Sequence, residues 1–195
     1  MMSKLPKLYI IAGCNGAGKT TASFTILPEV LGCKEFINAD EIAKGLSPFQ
    51  PESVAVQAGR IMLARMDELL QKGETFAFET TLATKSYKQK IEWAQANGYE
   101  VTLLFFWLDS PNMAKKRVAQ RVAEGGHSIP SETIERRYYN GIANLFAIYI
   151  DMVDICYIFD NSEGRKELIA QKERHKDIVI YNNDKFNLMK NNYER

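Results

Sequence analysis

Gly13-Cys14-Asn15-Gly16-Ala17-Gly18-Lys19-Thr20 fits G-x-x-x-x-G-K-[ST], the Walker A phosphate-binding loop. The residue types explain the chemistry. Glycines at 13, 16 and 18 let the backbone turn without Cβ clashes, so successive N–H groups can point inward at an anion. Lys19 reaches the β- and γ-phosphates, and Thr20 offers its hydroxyl to Mg²⁺. Thr21 continues the first helical turn, whose N-terminus adds partial positive charge. Cys14, Asn15 and Ala17 fill the variable positions, and Cys14 reads more readily as a filler than as a reactive thiol. The loop and Thr21 together predict a site for ATP, or GTP, with Mg²⁺.

Carboxylates and arginines elsewhere suit the same chemistry. In open α/β sheets, ligands sit outside the carboxyl ends of the strands. Asp40, Glu79, Asp109 and Asp160 each follow a predicted strand. Asp109 reads as a helix cap because Pro111 follows it. Asp40 and Glu79 belong to early strands, which neighbour the phosphate loop in such folds. Asp40 is the expected base for an acceptor hydroxyl, its ionised form favoured by nearby Mg²⁺ and arginines. Arg117 and Arg121 share one helix face, Gly125-Gly126-His127 breaks the chain, and Arg136-Arg137 follow on the next helix. Such a hinge between Arg-bearing helices predicts a lid over about residues 112–140, with Arg121, Arg136 and Arg137 closing on the transferring phosphoryl. His127 reads as a hinge residue.

The elements that must position these groups follow from periodicity. Leu8–Ala12 is a short apolar strand, and a helix from Lys19 to Leu27 ends or kinks near Pro28. Further strands are expected at Glu35–Asn38, Thr75–Phe78, Tyr99–Leu108, Asp154–Phe159 and Ile178–Tyr181. Gly45, Pro48 and Pro51 mark a loop. Helices are expected from Val54 to a C′ residue at Gly73, from Thr84 to Ala96 and from Asn112 to Ala123. A long helix follows, capped by Ser131, and a polar helix reaches about Lys172 before the last strand and an Asn- and Lys-rich tail. Alternating strands and helices predict an α/β fold, a three-layer α/β/α P-loop kinase arrangement with a parallel sheet and a helical lid. Residues 1–195 read as a single domain.

Composition excludes several classes. Lys+Arg 25 against Asp+Glu 24 gives a net charge of +1, so no global field draws the chain to nucleic acid or membrane. No run approaches the roughly 20 apolar residues of a membrane span. Cys14, Cys33 and Cys156 are odd in number and widely spaced, which suits reducing cytosol rather than disulfides or zinc. A cytoplasmic protein is expected.

The quoted motifs also carry a resemblance. Gly13 to Thr20, Ile37-Asn38-Ala39-Asp40, Phe78-Glu79-Thr80-Thr81 and Arg117 to Arg121 with Glu124-Gly125-Gly126-His127-Ser128-Ile129-Pro130 resemble the zeta toxin family. Arg136-Arg137-Tyr138 and Asp160-Asn161-Ser162 add to it. The resemblance implies a P-loop kinase whose acceptor is a small molecule, with a nucleotide sugar such as UDP-N-acetylglucosamine as the family's best-known case. It further implies Asp40 as the base, Lys19 and the lid arginines on the phosphates, and Glu79, Thr80 and Thr81 near the acceptor. An antitoxin protein is the implied partner. Ser47-Pro48 stands where the family tends to show His-Pro, which points to the family's small relatives. Two other classes remain open: a P-loop ATPase switch acting on a protein partner, and a binding module with an idle nucleotide site.

Overall fold

Seven strands make one sheet among the described residues of the computed structural model, residues 5–192. The ends of the expected single unit, residues 1–4 and 193–195, lie outside the described residues. The strands are β1 (Lys7–Gly13), β2 (Glu35–Ile37), β3 (Phe76–Thr80), β4 (Glu100–Trp107), β5 (Ile155–Asp160), β6 (Glu167–Glu173) and β7 (Val179–Ile180). Their order is β2-β3-β1-β4-β5-β6-β7. The first five run parallel, and β6 and β7 add antiparallel to the far edge. β1 and β4 are buried on both faces, which is why they read as unbroken apolar runs rather than alternating ones.

The register places the chemistry. Ile11 pairs with Glu79 and Ala12 with Thr80, while Ile37 pairs with Phe78. The phosphate loop, Glu79 and Asn38 therefore leave three adjacent strands at the same end of the sheet.

The helices are α1 (Lys19–Thr25), α2 (Ala39–Leu46), α3 (Ala55–Lys72), α4 (Lys88–Ala96), α5 (Pro111–Ala123), α6 (Ser131–Asn144), α7 (Ile150–Met152) and α8 (Asn183–Asn191). They cover the sheet and give the three-layer α/β/α arrangement. α3 presents Ala58, Met62, Met66, Leu69 and Leu70 inward and ends on Gly73 at φ 68, a left-handed cap that glycine adopts without Cβ strain. α6 buries Ile134, Tyr138 and Ile142, and the Tyr138 hydroxyl donates to Leu108 O at 2.8 Å. No helix of the described residues is long and apolar enough to cross a membrane.

Several expectations are corrected. The polar stretch ending near Lys172 is β6, not a helix: β5 needs an edge partner, and Ile169 and Ala170 bury against the core. The sheet is consequently mixed at that edge. Gly45 lies inside α2, a helix that the loop reading missed. Helix α1 passes Pro28 through a π-helical turn, Ile26–Val30. The helix expected from Thr84 starts at Lys88, after a turn. Ser110, not Asp109, caps α5, its side chain accepting from Met113 N. Pro130 rather than Ser131 holds the cap position of α6. The tail after the last strand forms α8, packed through Phe186 and Met189 and capped by Asn182.

Candidate active site

Steric detail explains why the phosphate loop needs its glycines. Gly13 has φ +140, and a Cβ there would lie 2.1 Å from Phe106 O. Gly18, at φ +81, faces Asn161 Nδ2, which a Cβ would approach to 2.6 Å. Asn161 Nδ2 donates to Ala17 O at 2.9 Å, and Arg117 donates to Asn161 O at 2.8 Å and Ser162 O at 3.0 Å. The loop is thus braced from the end of β5, and Arg117 spends its guanidinium on backbone carbonyls. Burial pushes the Cys14 thiol up to about 11, so it stays protonated near neutral pH and fills space, as expected.

Lys19 is buried, its Nζ donating to Cys14 O at 3.0 Å and lying 3.5 Å from Glu79 Oε1. Glu79 Oε2 also accepts from Thr20 Oγ1 at 2.8 Å and from Asn38 Nδ2 at 3.0 Å. One carboxylate therefore gathers the phosphate-loop lysine, the phosphate-loop hydroxyl and the end of β2. Asn38 in turn caps α2, its Oδ1 accepting from Asp40 N at 2.8 Å. That cap fixes the turn from which the solvent-exposed Asp40 side chain projects.

Of the three clefts that border Asp40, two adjoin the phosphate loop. One, about 270 Å³, is lined by the phosphate loop with Thr20, Thr21, Glu79, Arg117 and Arg121. The other, about 180 Å³, runs past Thr80, Thr81, Thr84, Tyr87 and Arg137. Lys19, Asp40 and Glu79 line both. Arg121 Nε is buried without a hydrogen-bond partner among the described residues. A buried donor left unpaired beside a phosphate loop is suited to an anion. Arg137 Nη1 donates to Asn15 Oδ1 at 3.1 Å, and burial pulls its guanidinium pKa down while the Asp40 charge opposes that.

The wall of the second cleft is held under strain. Leu82 sits at φ 59, a left-handed conformation unusual for a bulky side chain, and is fully buried. Asn144 Nδ2 donates to Leu82 O at 2.8 Å and Tyr149 OH to Thr84 O at 2.9 Å. Thr80 Oγ1 accepts from Leu82 N at 3.0 Å. Gly141 closes the contact, since a Cβ there would come within 2.7 Å of Thr81 O.

The structure thus brings Asn15, Gly16, Gly18 to Thr21, Asp40, Glu79, Thr80, Thr81, Arg121 and Arg137 onto the two clefts, whereas Gly13, Cys14 and Ala17 line neither. Arg136 is set apart on the exposed face of α6 and lines neither. Asp160 is buried against Lys185, away from the clefts. Asn38, Thr84 and Tyr87 also line the second cleft, beyond the residues the sequence points to. Asn38 was signalled by the cap pattern Asn38-Ala39-Asp40-Glu41; the turn carrying Thr84 and Tyr87 had no signal within its helix-like sequence.

The family model described as Zeta toxin matches residues 2–186. An uncharacterized protein of Haemophilus influenzae is 28% identical over 132 residues, covering 68% of this chain and 92% of that protein. The solved complex of AvrRxo1-ORF1 with AvrRxo1-ORF2 and sulphate ions has a TM-score of 0.76 at 16% identity, over 96% of this chain and 64% of the other. This chain therefore spans less than two thirds of that one. The structure from the PezAT chromosomal toxin-antitoxin system of Streptococcus pneumoniae has a TM-score of 0.66 at 17% identity, over 100% of this chain and 88% of the other.

Proposed function

Because the chain belongs to the zeta toxin family, we propose that it is an ATP-dependent kinase transferring the γ-phosphate to a hydroxyl of a small molecule. The observation that carries this reading is the position of Asp40, at the junction of the phosphate-loop cleft and the hydroxyl-lined cleft beside it. A nucleotide sugar such as UDP-N-acetylglucosamine is the acceptor class the family resemblance offers. An antitoxin-like protein, of the kind the toxin-antitoxin neighbour is named for, is the corresponding partner. Cytosol, which holds ATP and Mg²⁺, is the implied setting.

In this mechanism the Asp40 carboxylate takes the acceptor hydroxyl's proton as the oxygen attacks the γ-phosphorus. The bond from that phosphorus to the β–γ bridging oxygen breaks, and ADP leaves with the electron pair. Loop amides and Lys19 hold the phosphates; Arg121 and Arg137 approach from the lid side and neutralise charge on the transferring group. Since α6 is anchored through Tyr138, lid movement falls to the tip around Gly125 and Gly126 rather than to whole helices.

Mg²⁺ fits the oxygen donors present. The Thr20 hydroxyl and the Glu79 carboxylate, 2.8 Å apart, face the phosphate-loop cleft and are the hard ligands this ion prefers. When bound, it would neutralise charge on the β- and γ-oxygens.

The test is ATP turnover by the parent and Lys19→Ala, with and without a panel of hydroxyl acceptors that includes UDP-N-acetylglucosamine. Acceptor-dependent ADP formation lost in folded Lys19→Ala supports the reading. Turnover stimulated by no acceptor, or unchanged in Lys19→Ala, overturns it.

A further inference from the structure

The buried ion pair at the end of β5 has no part in the mechanism above, yet it leads to the phosphate loop. Asp160 is 1% exposed. Its Oδ2 accepts from Lys185 Nζ of α8 at 2.6 Å, and Lys185 also donates to Glu167 Oε2 on β6 at 2.7 Å. Its Oδ1 accepts from Ser162 N at 2.9 Å and from Ser162 Oγ. Ser162 Oγ accepts in turn from Asp109 N at 2.9 Å, where β4 gives way to α5. Asn161, between the two, braces Ala17 O and faces Gly18, while its carbonyl and that of Ser162 hold Arg117.

A carboxylate this deeply buried is costly unless it is paired and fully hydrogen-bonded. Both oxygens are used, one on α8 and one on the turn that grips the loop. The strand end alone does not dictate this turn. Asn161 N reaches across to Trp107 O at 3.0 Å, but the position of Ser162 in the turn is set by its two bonds to Asp160 Oδ1, and Lys185 holds the other oxygen of that carboxylate.

We infer that Lys185, on the C-terminal helix, is a positioning residue for the nucleotide site, acting through Asp160 and the Asn161–Ser162 turn on the phosphate loop. The inference rests on the nucleotide reading of that loop. It gives α8 a role that its polar sequence does not suggest. Loss of the Lys185 charge frees the Asp160 carboxylate to swing toward water, relaxes the turn and loosens the brace at Ala17 and Gly18. Nucleotide affinity then falls although no residue touching phosphate has changed.

The experiment measures binding of a fluorescent ATP analogue with Mg²⁺ to the full chain, alongside thermal melting. Lys185→Ala, and Lys185→Gln, which keeps a polar side chain but not the charge that holds the Asp160 carboxylate, should weaken binding roughly tenfold at a temperature where both are folded. Lys185→Arg, which restores the charge, should return affinity to within about threefold of the parent. Glu167→Gln weakens a second pairing of Lys185, which also lies 3.9 Å from Glu163, and should lower the melting temperature with affinity unchanged. Folded Lys185→Gln binding as tightly as the parent overturns the inference. So does Glu167→Gln weakening binding as much as Lys185→Gln, since affinity would then merely follow stability. A parent that binds no analogue overturns the nucleotide reading itself, a different result from a parent that binds and variants that match it.

Discussion

Thr20 Oγ1 donates a 2.8 Å hydrogen bond to Glu79 Oε2, tying the phosphate-loop hydroxyl to the end of the neighbouring strand. The same carboxylate lies 3.5 Å from Lys19 Nζ through its other oxygen. Glu79 therefore faces the nucleotide side at least as directly as the acceptor side, where the family resemblance sets it. If it helps hold Mg²⁺ beside Thr20, Glu79→Gln keeps its size but loses its charge. The Mg²⁺ concentration needed to bind an ATP analogue should rise about 10- to 100-fold, the usual cost of losing a supporting metal-site group. A Mg²⁺ titration of analogue binding checks this; an unchanged midpoint would leave Glu79 on the acceptor side alone.

The strained wall makes a prediction about stability. Asn144→Ala removes the donor to Leu82 O and leaves a buried carbonyl unpaired. The expected cost is about 1–3 kcal/mol, read by denaturant unfolding. A loss below the error of that measurement would mean that water or a shifted turn replaces the bond.

The α8 ion pair should give stability a defined pH window. Lys185 is held above its ordinary value of 10.5, first by its hydrogen bond to Asp160 and then by that to Glu167. A raised folded pKa contributes stability that is whole below the unfolded value and is lost as pH climbs through the folded one. Glu167 is held below its ordinary 4.5, chiefly by Lys185 and then by Asn182, so its contribution is present above that value and lost as pH falls. The melting-temperature gap between the parent and Lys185→Gln should therefore be flat near neutral pH. It should narrow above about pH 10.5 and below about pH 4.5. A gap that stays constant across both limits contradicts this pairing.

How much was legible in the sequence depends on the range of the interaction concerned. The phosphate loop, β1, β3 and β4 were readable because each is specified by its own spacing or apolar run. α2 was readable in principle: Asn38 and the acidic Asp40-Glu41 pair form a start signal that Gly45 and the following prolines masked. β6 was not, because a polar segment becomes a strand there only by pairing with β5. Nor did local sequence reveal that Tyr87 would line the second cleft, that Arg117 would be taken up by carbonyls, or that Arg136 would face solvent while its neighbour Arg137 turned inward. The arginine outcomes depend on the rotation of α5 and α6, in which Val118 and Tyr138 are the buried positions.

The most direct test of the account concerns Asp40, the exposed carboxylate at the meeting of the two clefts. Asp40→Asn preserves size and the capped turn of α2 but cannot accept a proton. With an acceptor that the parent phosphorylates, three quantities are measured on this variant: its melting curve, its affinity for an ATP analogue with Mg²⁺, and its rate of phosphotransfer. The account predicts unchanged melting, unchanged affinity and a transfer rate lower by about 10²–10⁴, the usual worth of a general base. Transfer at the parent rate by folded Asp40→Asn would contradict it.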